Sequence, residues 1–267
     1  MNEKGRNDHY WYGKEKRKIQ AMRHTADMEN RYLKEIRYAA NNTKEYRKPV
    51  KNIHAQNMYS TEILLSENDS VSELFAMSKE ISGKLCVLNF ASYKHPGGMF
   101  INGSCAQEEC LCHKSFLFNV LKRNSDYYDR NKLDINRHLY RDVALFSDNV
   151  YFFDENKEPL YVSVLTCAAP NKHSAQKYKY VSDKDAYDAL KSRIHFLLSV
   201  AVDNHVSGLV LGAYGAGVFG NDPKDVAEIF LDCLQGEFAG CFKKVSLAIP
   251  AGENYNMFRE VFDQSKK

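Results

Sequence analysis

The chain has 267 residues, 44% of them hydrophobic and 27% charged, with a formal net charge of +3. It is long enough to bury a full core, and no apolar run approaches the roughly 20 residues a membrane span needs. The seven cysteines are an odd number in a chain too large to need stapling, so reduced thiols and a cytoplasmic location are expected. Charge is uneven: residues 1–52 carry about +7 and the remainder about −4. A basic arm of this kind can meet nucleic acid or simply be a solvated helix.

Residues 14–40 read as one or two charged helices ending at Asn41-Asn42-Thr43, and Pro49 begins an extended entry to the core. Thr61–Leu65 is a short strand, after which Asn68-Asp69-Ser70 caps a helix to about Ile81, and Leu85–Phe90 is an apolar strand. Residues 123–160 have weaker periodicity and read as a long excursion with a hairpin around Val150–Leu160. Tyr161–Ala168 is a buried strand, Ala186–Asn204 an amphipathic helix and Gly208–Ala213 a strand. A helix from Pro223, a strand at Val245–Ile249 and a helix including Met257–Phe262 complete the chain. Apolar strands alternating with helices indicate an α/β domain whose sheet is covered on both faces.

Two glycine-rich turns leave strand ends. In Gly212–Asp222 (GAYGAGVFGND), Gly212, Gly215, Gly217 and Gly220 allow close backbone approach, Asp222 is a candidate N-cap and Pro223 suits the first helical position. Consecutive backbone N–H groups at such a turn suit a diphosphate. The turn lacks the Lys-Ser/Thr ending of a nucleoside-triphosphatase loop. Of the rings nearby, Phe219 is the one whose direction the glycine turn fixes, toward ligand or toward core.

The other turn starts at Pro96-Gly97-Gly98 and is followed by Gln107-Glu108-Glu109. Ser104 with Gln107 three residues on has the form of a capping box, which places a helix from near Cys105 through Leu111, Phe118 and Leu121. Consecutive helical residues point about 100° apart, so one carboxylate can face a scissile bond while the other orients a hydroxyl. Two adjacent acids behind a glycine turn suit glycosidic-bond chemistry, although acids in a first helical turn also simply complement the helix dipole. Cys105, Cys110, Cys112 and His113 lack the spacing of a zinc site, and no metal or cofactor is expected. Nothing in the sequence pairs a cysteine nucleophile with His195 or His205.

The run Gly97-Gly98, eight residues, Gln107-Glu108-Glu109 resembles the signature of poly(ADP-ribose) glycohydrolases, and Leu88–Ser115 is similar to their microbial type. VSVLTCAAPN (Val162–Asn171), GAYGAGVFGND and AIPAGENYNMF (Ala248–Phe258) follow in the order of that family, over roughly residues 55–262. The resemblance implies a macrodomain-like three-layer α/β/α sandwich around a mixed sheet at 55–267, preceded by a basic helical N-terminal extension at 1–54. It also implies metal-independent hydrolysis of ribose–ribose O-glycosidic bonds in poly(ADP-ribose), with ADP-ribose as product.

By that resemblance Glu109 is the general acid and base and Glu108 binds ribose hydroxyls. Gly97 and Gly98 line the distal ribose and phosphate, Asn89 lies in the strand end that touches the distal ribose, and Gln107 is a substrate-binding residue. Gly215, Ala216, Gly217, Val218 and Phe219 hold the diphosphate and shape the ribose pocket, and Asp69 accepts the adenine amino group. Met99 stands where many relatives have a third glycine, and His95 where an asparagine is common. Two alternatives follow from these departures and from the basic arm. One is an ADP-ribose-binding macrodomain without catalysis; the other is a hydrolase of mono-ADP-ribosylated protein or nucleic acid, the latter captured by the N-terminal arm.

Overall fold

The computed structural model describes residues 3–48, 50, 58–154 and 157–265. Pro49 and the 54/55 domain boundary expected from the sequence lie outside them. The chain opens with one long helix, α1 (Glu3–Asn41), kinked at Tyr32 where φ/ψ leave the helical region. It is followed by β1 (Lys44–Tyr46), β2 (Glu62–Ser66), α2 (Ser70–Met77) and β3 (Lys84–Phe90). Three short helices come next, α3 (Gln107–His113), α4 (Leu117–Arg123) and α5 (Ser125–Leu133). A hairpin of β4 (Ala144–Asp154) and β5 (Lys157–Cys167) leads to α6 (Lys172–Lys179), α7 (Asp183–Asp203), β6 (Val206–Leu211), α8 (Pro223–Gln235), β7 (Lys244–Ala248) and α9 (Glu253–Ser265).

The seven strands form one mixed sheet in the order β1-β4-β5-β3-β6-β7-β2. β4 runs antiparallel to β1 and β5, and every other neighbouring pair is parallel. Each face is covered. Residues of α7, α8 and α9 such as Leu197, Phe230 and Phe258 pack on one side with Leu88 and Leu209. On the other, α1 to α5 contribute Ile36, Leu74, Leu111, Phe118 and Tyr128, packed with Val87 and Val164. The result is the three-layer α/β/α sandwich with a mixed sheet. Strands buried on both faces explain the near-continuous apolar runs by which they were read.

The N-terminal helix packs on this body. Ala21, Met28, Ile36 and Ala39 are buried in the same core as α2 to α4, and β1 is an edge strand of the sheet. Part of the basic excess is used within the fold, Arg17 on the Gly103 carbonyl, Lys44 on Asn204 Oδ1 (2.9 Å) and Arg47 on Asn131 Oδ1 (3.1 Å).

One expectation is corrected here. The helix read from Cys105 to Leu121 is two helices, interrupted at 114–116. The Phe153 N–H donates to the Lys114 carbonyl (2.7 Å), the His24 ring bonds the Ser115 carbonyl (2.7 Å), and Ser115 Oγ accepts from the Leu117 N–H (3.0 Å). These partners from β4 and α1 take up the groups that a continuous helix would pair internally.

Candidate active site

All five parallel strands end at one edge of the sheet, the place where open α/β folds present ligands to the loops that follow. A cavity of about 710 Å³ opens there. Its wall comes from Asp69 to Val71 after β2, Phe90 at the end of β3, Ala169 after β5, Ala213, Gly215 and Gly217 to Phe219 after β6, Ala248 to Pro250 and Gly252 to Asn254 after β7, and Cys105 to Gln107, Cys110 and Leu111 at and within α3. Among the described residues no lysine or arginine lines it, so backbone N–H groups and neutral side chains are the donors it offers an anion.

The Gly212–Asp222 turn is made for that. Gly215 has φ +73°, and a Cβ there would lie 2.5 Å from Asn221 Nδ2 and 2.6 Å from Ala169 Cβ. Asn221 Nδ2 donates to Gly215 O (3.0 Å) and Pro170 O (2.9 Å), which ties the turn to the end of β5. The N–H of Ala216 is taken by Ala213 O. Among the described residues those of Gly217, Val218 and Phe219 have no backbone acceptor. Phe219 does both things the sequence allowed: it borders the cavity and packs edge-on against Tyr140 (6.2 Å between centroids). Asp222 caps α8 by accepting from the Lys224 N–H (2.8 Å).

The acidic pair adjoins the other end. Ala106 occupies the N-cap of α3, two residues after the expected Ser104, and Glu109 Oε2 accepts its N–H (2.9 Å). Glu109 supplies the return half of a capping box, which an alanine N-cap cannot reciprocate. Glu109 Oε1 accepts the Met99 N–H (2.9 Å) from the first glycine turn. Glu108 Oε2 accepts the Ser92 N–H (2.7 Å) and Oε1 accepts from Asn89 Nδ2 (3.2 Å). Gly98 lies between the acids: at its φ of +59° a Cβ would sit 2.6 Å from Glu109 Oε1 and 2.9 Å from Glu108 Oε2. Gly97, at φ +65°, is packed against the Phe118 ring in the same way.

Burial separates the chemistry of the two acids from that of a surface pair. Glu108 is 3% exposed, and loss of water, with the charge of Glu109 adding to it, pushes its pKa up to about 8 despite the donors from Ser92, Asn89 and Gly97. Burial thus favours the neutral form of Glu108 well above the usual carboxylate range. Asn89 Oδ1, fully buried beside it, has no partner among the described residues.

The expected residues fall into two adjoining groups, except Ala216, which does not line the cavity and whose N–H is taken by Ala213 O. Asp69, Gln107, Gly215, Gly217, Val218 and Phe219 form cavity wall. Asn89, Gly97, Gly98, Glu108 and Glu109 form a cluster beside it, joined to the wall through Ala106 and Gln107. Two of the wall residues are also committed to the fold. Asp69 caps α2, accepting from the Val71 and Ser72 N–H groups (2.9 Å each). Gln107 accepts the Phe90 N–H (2.9 Å) and donates to Leu88 O (2.8 Å) and Ser70 Oγ (3.2 Å), so its amide secures the end of β3.

Neither departure fills the site. Met99 has φ −110°, which any residue adopts, and a side chain 46% exposed. His95 is exposed, its pKa lowered by desolvation and by Lys132 and Lys94. Phe90 lies on the wall without having been singled out as a site residue; Cys105 and Cys110, weighed only as metal ligands, and the Ala248–Asn254 segment, noted only for its resemblance, border it too. Arg193, 1% exposed, was not singled out either: it pairs with Asp142 (2.6 Å) and holds the Ala168 carbonyl beside Ala169. An arginine on the buried face of an amphipathic helix was the available signal.

The family described as microbial-type PARG, catalytic domain, matches residues 15–155. Among solved structures the chain is similar to poly(ADP-ribose) glycohydrolase from Thermomonospora curvata bound to the inhibitor ADP-HPD. Identity is 29%, with 92% of this chain and 99% of that chain covered and a TM-score of 0.81. It is also similar to the Deinococcus radiodurans enzyme in complex with ADP-ribose, at 28% identity, 86% and 98% coverage and a TM-score of 0.77. No curated protein matches the sequence.

Proposed function

The chain belongs to the family of microbial-type poly(ADP-ribose) glycohydrolase catalytic domains, and from that premise we propose the following chemistry for it. It hydrolyses the ribose–ribose O-glycosidic bonds of poly(ADP-ribose) and releases ADP-ribose. The diphosphate lies on the N–H groups of Gly217 to Phe219, the adenine end lies toward Asp69, and the terminal ribose reaches past Ala106 and Gln107 to the acidic pair. Glu109 gives a proton to the departing ribose oxygen, the anomeric carbon passes through an oxocarbenium-like state, and Glu109 then takes a proton from the attacking water. Glu108, neutral and buried, pairs with ribose hydroxyls and fixes the sugar relative to its neighbour.

The observation that supports this most is the position of Glu109. Its two oxygens are held by N–H groups from the two segments that converge on the site, Met99 of the glycine turn and Ala106 of the cavity wall. That arrangement leaves the acid little rotational freedom, as a proton donor aimed at one atom requires. The test is incubation of the purified chain with labelled poly(ADP-ribose) and measurement of free ADP-ribose. Binding of ADP-ribose with no release from polymer would leave the non-catalytic reading instead. The seven free cysteines support a reducing, cytoplasmic setting.

A further inference from the structure

We propose that Arg17 of α1 is a positioning residue for the glycosidic step, acting on Glu109 through the turn at 97–103. The inference rests on the glycohydrolase reading above. Arg17 Nε donates to the Gly103 carbonyl at 2.7 Å. Gly103 is buried at φ +81°, so close to the helix that a Cβ would stand 2.2 Å from Lys14 O and 3.1 Å from Lys18 N. The backbone of α1 is thus seated directly on the end of the turn, where only a glycine fits.

From Gly103 the linkage to the acid is short. The Gly103 N–H donates to Phe100 O (3.0 Å), the N–H groups of Asn102 and Ser104 donate to Met99 O (3.0 and 3.2 Å), and the Met99 N–H donates to Glu109 Oε1 (2.9 Å). A second contact holds the same turn from below. Phe100, fully buried, lies edge-on to His113 of α3 (4.6 Å) and His24 of α1 (6.4 Å), and packs with Phe118 of α4 (5.2 Å). His24 also bonds the Ser115 carbonyl just beyond α3 (2.7 Å). One face of α1 therefore fixes both the turn that feeds Glu109 an N–H and the far end of the helix that carries Glu109. A shift of about 1 Å in a catalytic group is enough to lower a rate by about 10²-fold.

The test compares Arg17→Met, which keeps the aliphatic stem and removes the donor, with Arg17→Lys, which restores one. We expect Arg17→Met to lower kcat on poly(ADP-ribose) about tenfold, with the Kd for ADP-ribose by calorimetry changed less than about twofold. Amide exchange at residues 98–104 should accelerate in Arg17→Met, and Arg17→Lys should recover part of both effects. A kcat within about twofold of the parent, or a loss of kcat matched by an equal loss of ADP-ribose affinity, would overturn the proposal. If the parent chain itself releases no ADP-ribose, the glycohydrolase reading fails; exchange at 98–104 still reports separately on the Arg17 brace.

Discussion

Gly97–Gly103 and Gly212–Asn221 both follow a parallel strand and both border the site, yet they are anchored to different parts of the fold. The first turn is fixed by Arg17 from α1, by the Phe118 ring against Gly97 and by the carboxylate of Glu109 on Met99. The second is tied to the segments beside the cavity, with Asn221 bonded to Gly215 O and to Pro170 O after β5, and the His173 N–H of α6 donating to Phe219 O (3.0 Å). A turn that presents N–H groups to a diphosphate is referenced to the strand ends that line the cavity. A turn that aims an acid must be referenced to the element carrying the acid. Substitutions in the first should therefore affect turnover, and substitutions in the second should affect folding and ligand affinity.

The largest effect expected is at the acid itself. Glu109→Gln keeps an acceptor for one of the two N–H donors but removes the transferable proton, and kcat should fall at least about 10²-fold. ADP-ribose affinity by calorimetry should change little, since in the proposed pose the diphosphate lies on the other turn. Undiminished turnover in this variant would remove Glu109 from the mechanism and with it the reason for the first turn's bracing.

Gly98→Ala sharpens the contrast without touching an ionisable group. The added methyl would meet Glu109 Oε1 at 2.6 Å and Glu108 Oε2 at 2.9 Å, and the backbone sits at φ +59°. Left-handed backbone costs a non-glycine residue about 1–2 kcal/mol, a modest stability loss. Displacing a carboxylate held at two atoms should lower kcat by tenfold or more. Chemical denaturation and steady-state kinetics on the same preparation separate the two, and a rate loss explained by unfolding alone would count against the aiming role.

How far these features were legible in the sequence depends on whether their cause is local. Strands β3, β5, β6 and β7 were visible as apolar runs because burial on both faces demands them. Asp69 and Asp222 were visible as caps because the cap lies within three residues of what it satisfies. The break between α3 and α4 was not, since its partners Phe153 and His24 are tens of residues away. Strand β1 was missed because its three residues, KEY, lie at the sheet edge with only Tyr46 packed against the core, too little to make an apolar run. Glu108 and Glu109 were readable as a pair, but the upward shift of the Glu108 pKa was not, because it depends on how deeply the fold buries that side chain.

That burial gives the acidic pair a pH signature. In the fold Glu108 keeps its proton up to about pH 8, whereas in the unfolded chain it loses it near its ordinary value of 4.5. Between those limits the folded state binds one proton more than the unfolded state, so stability falls as pH rises. The slope approaches about 1.4 kcal/mol per unit at most and vanishes above about pH 8. Glu108→Gln, a permanent neutral analogue whose amide can donate toward Asn89 Oδ1, should flatten this part of the profile. It should also raise stability at pH 8 relative to the parent. Parallel melting curves from pH 5 to 8 for both proteins measure it; an identical pH slope in the variant would show that Glu108 is ionised in the fold.

The smallest effect belongs to the turn at Gly212–Asn221. Gly217 has no heavy atom within 4 Å of where a Cβ would stand, and its φ lies outside the left-handed range. Gly217→Ala should therefore raise stability by about 0.4–1 kcal/mol, because the unfolded chain loses freedom while the folded one loses nothing. In the proposed pose the diphosphate takes N–H groups rather than the Cα face, so ADP-ribose affinity should change by less than about threefold and kcat not at all. A tenfold loss of affinity with stability intact would mean that the ligand passes over Gly217 as closely as the acids pass Gly98. The two turns would then differ in what holds them but not in how tightly they fit their contents.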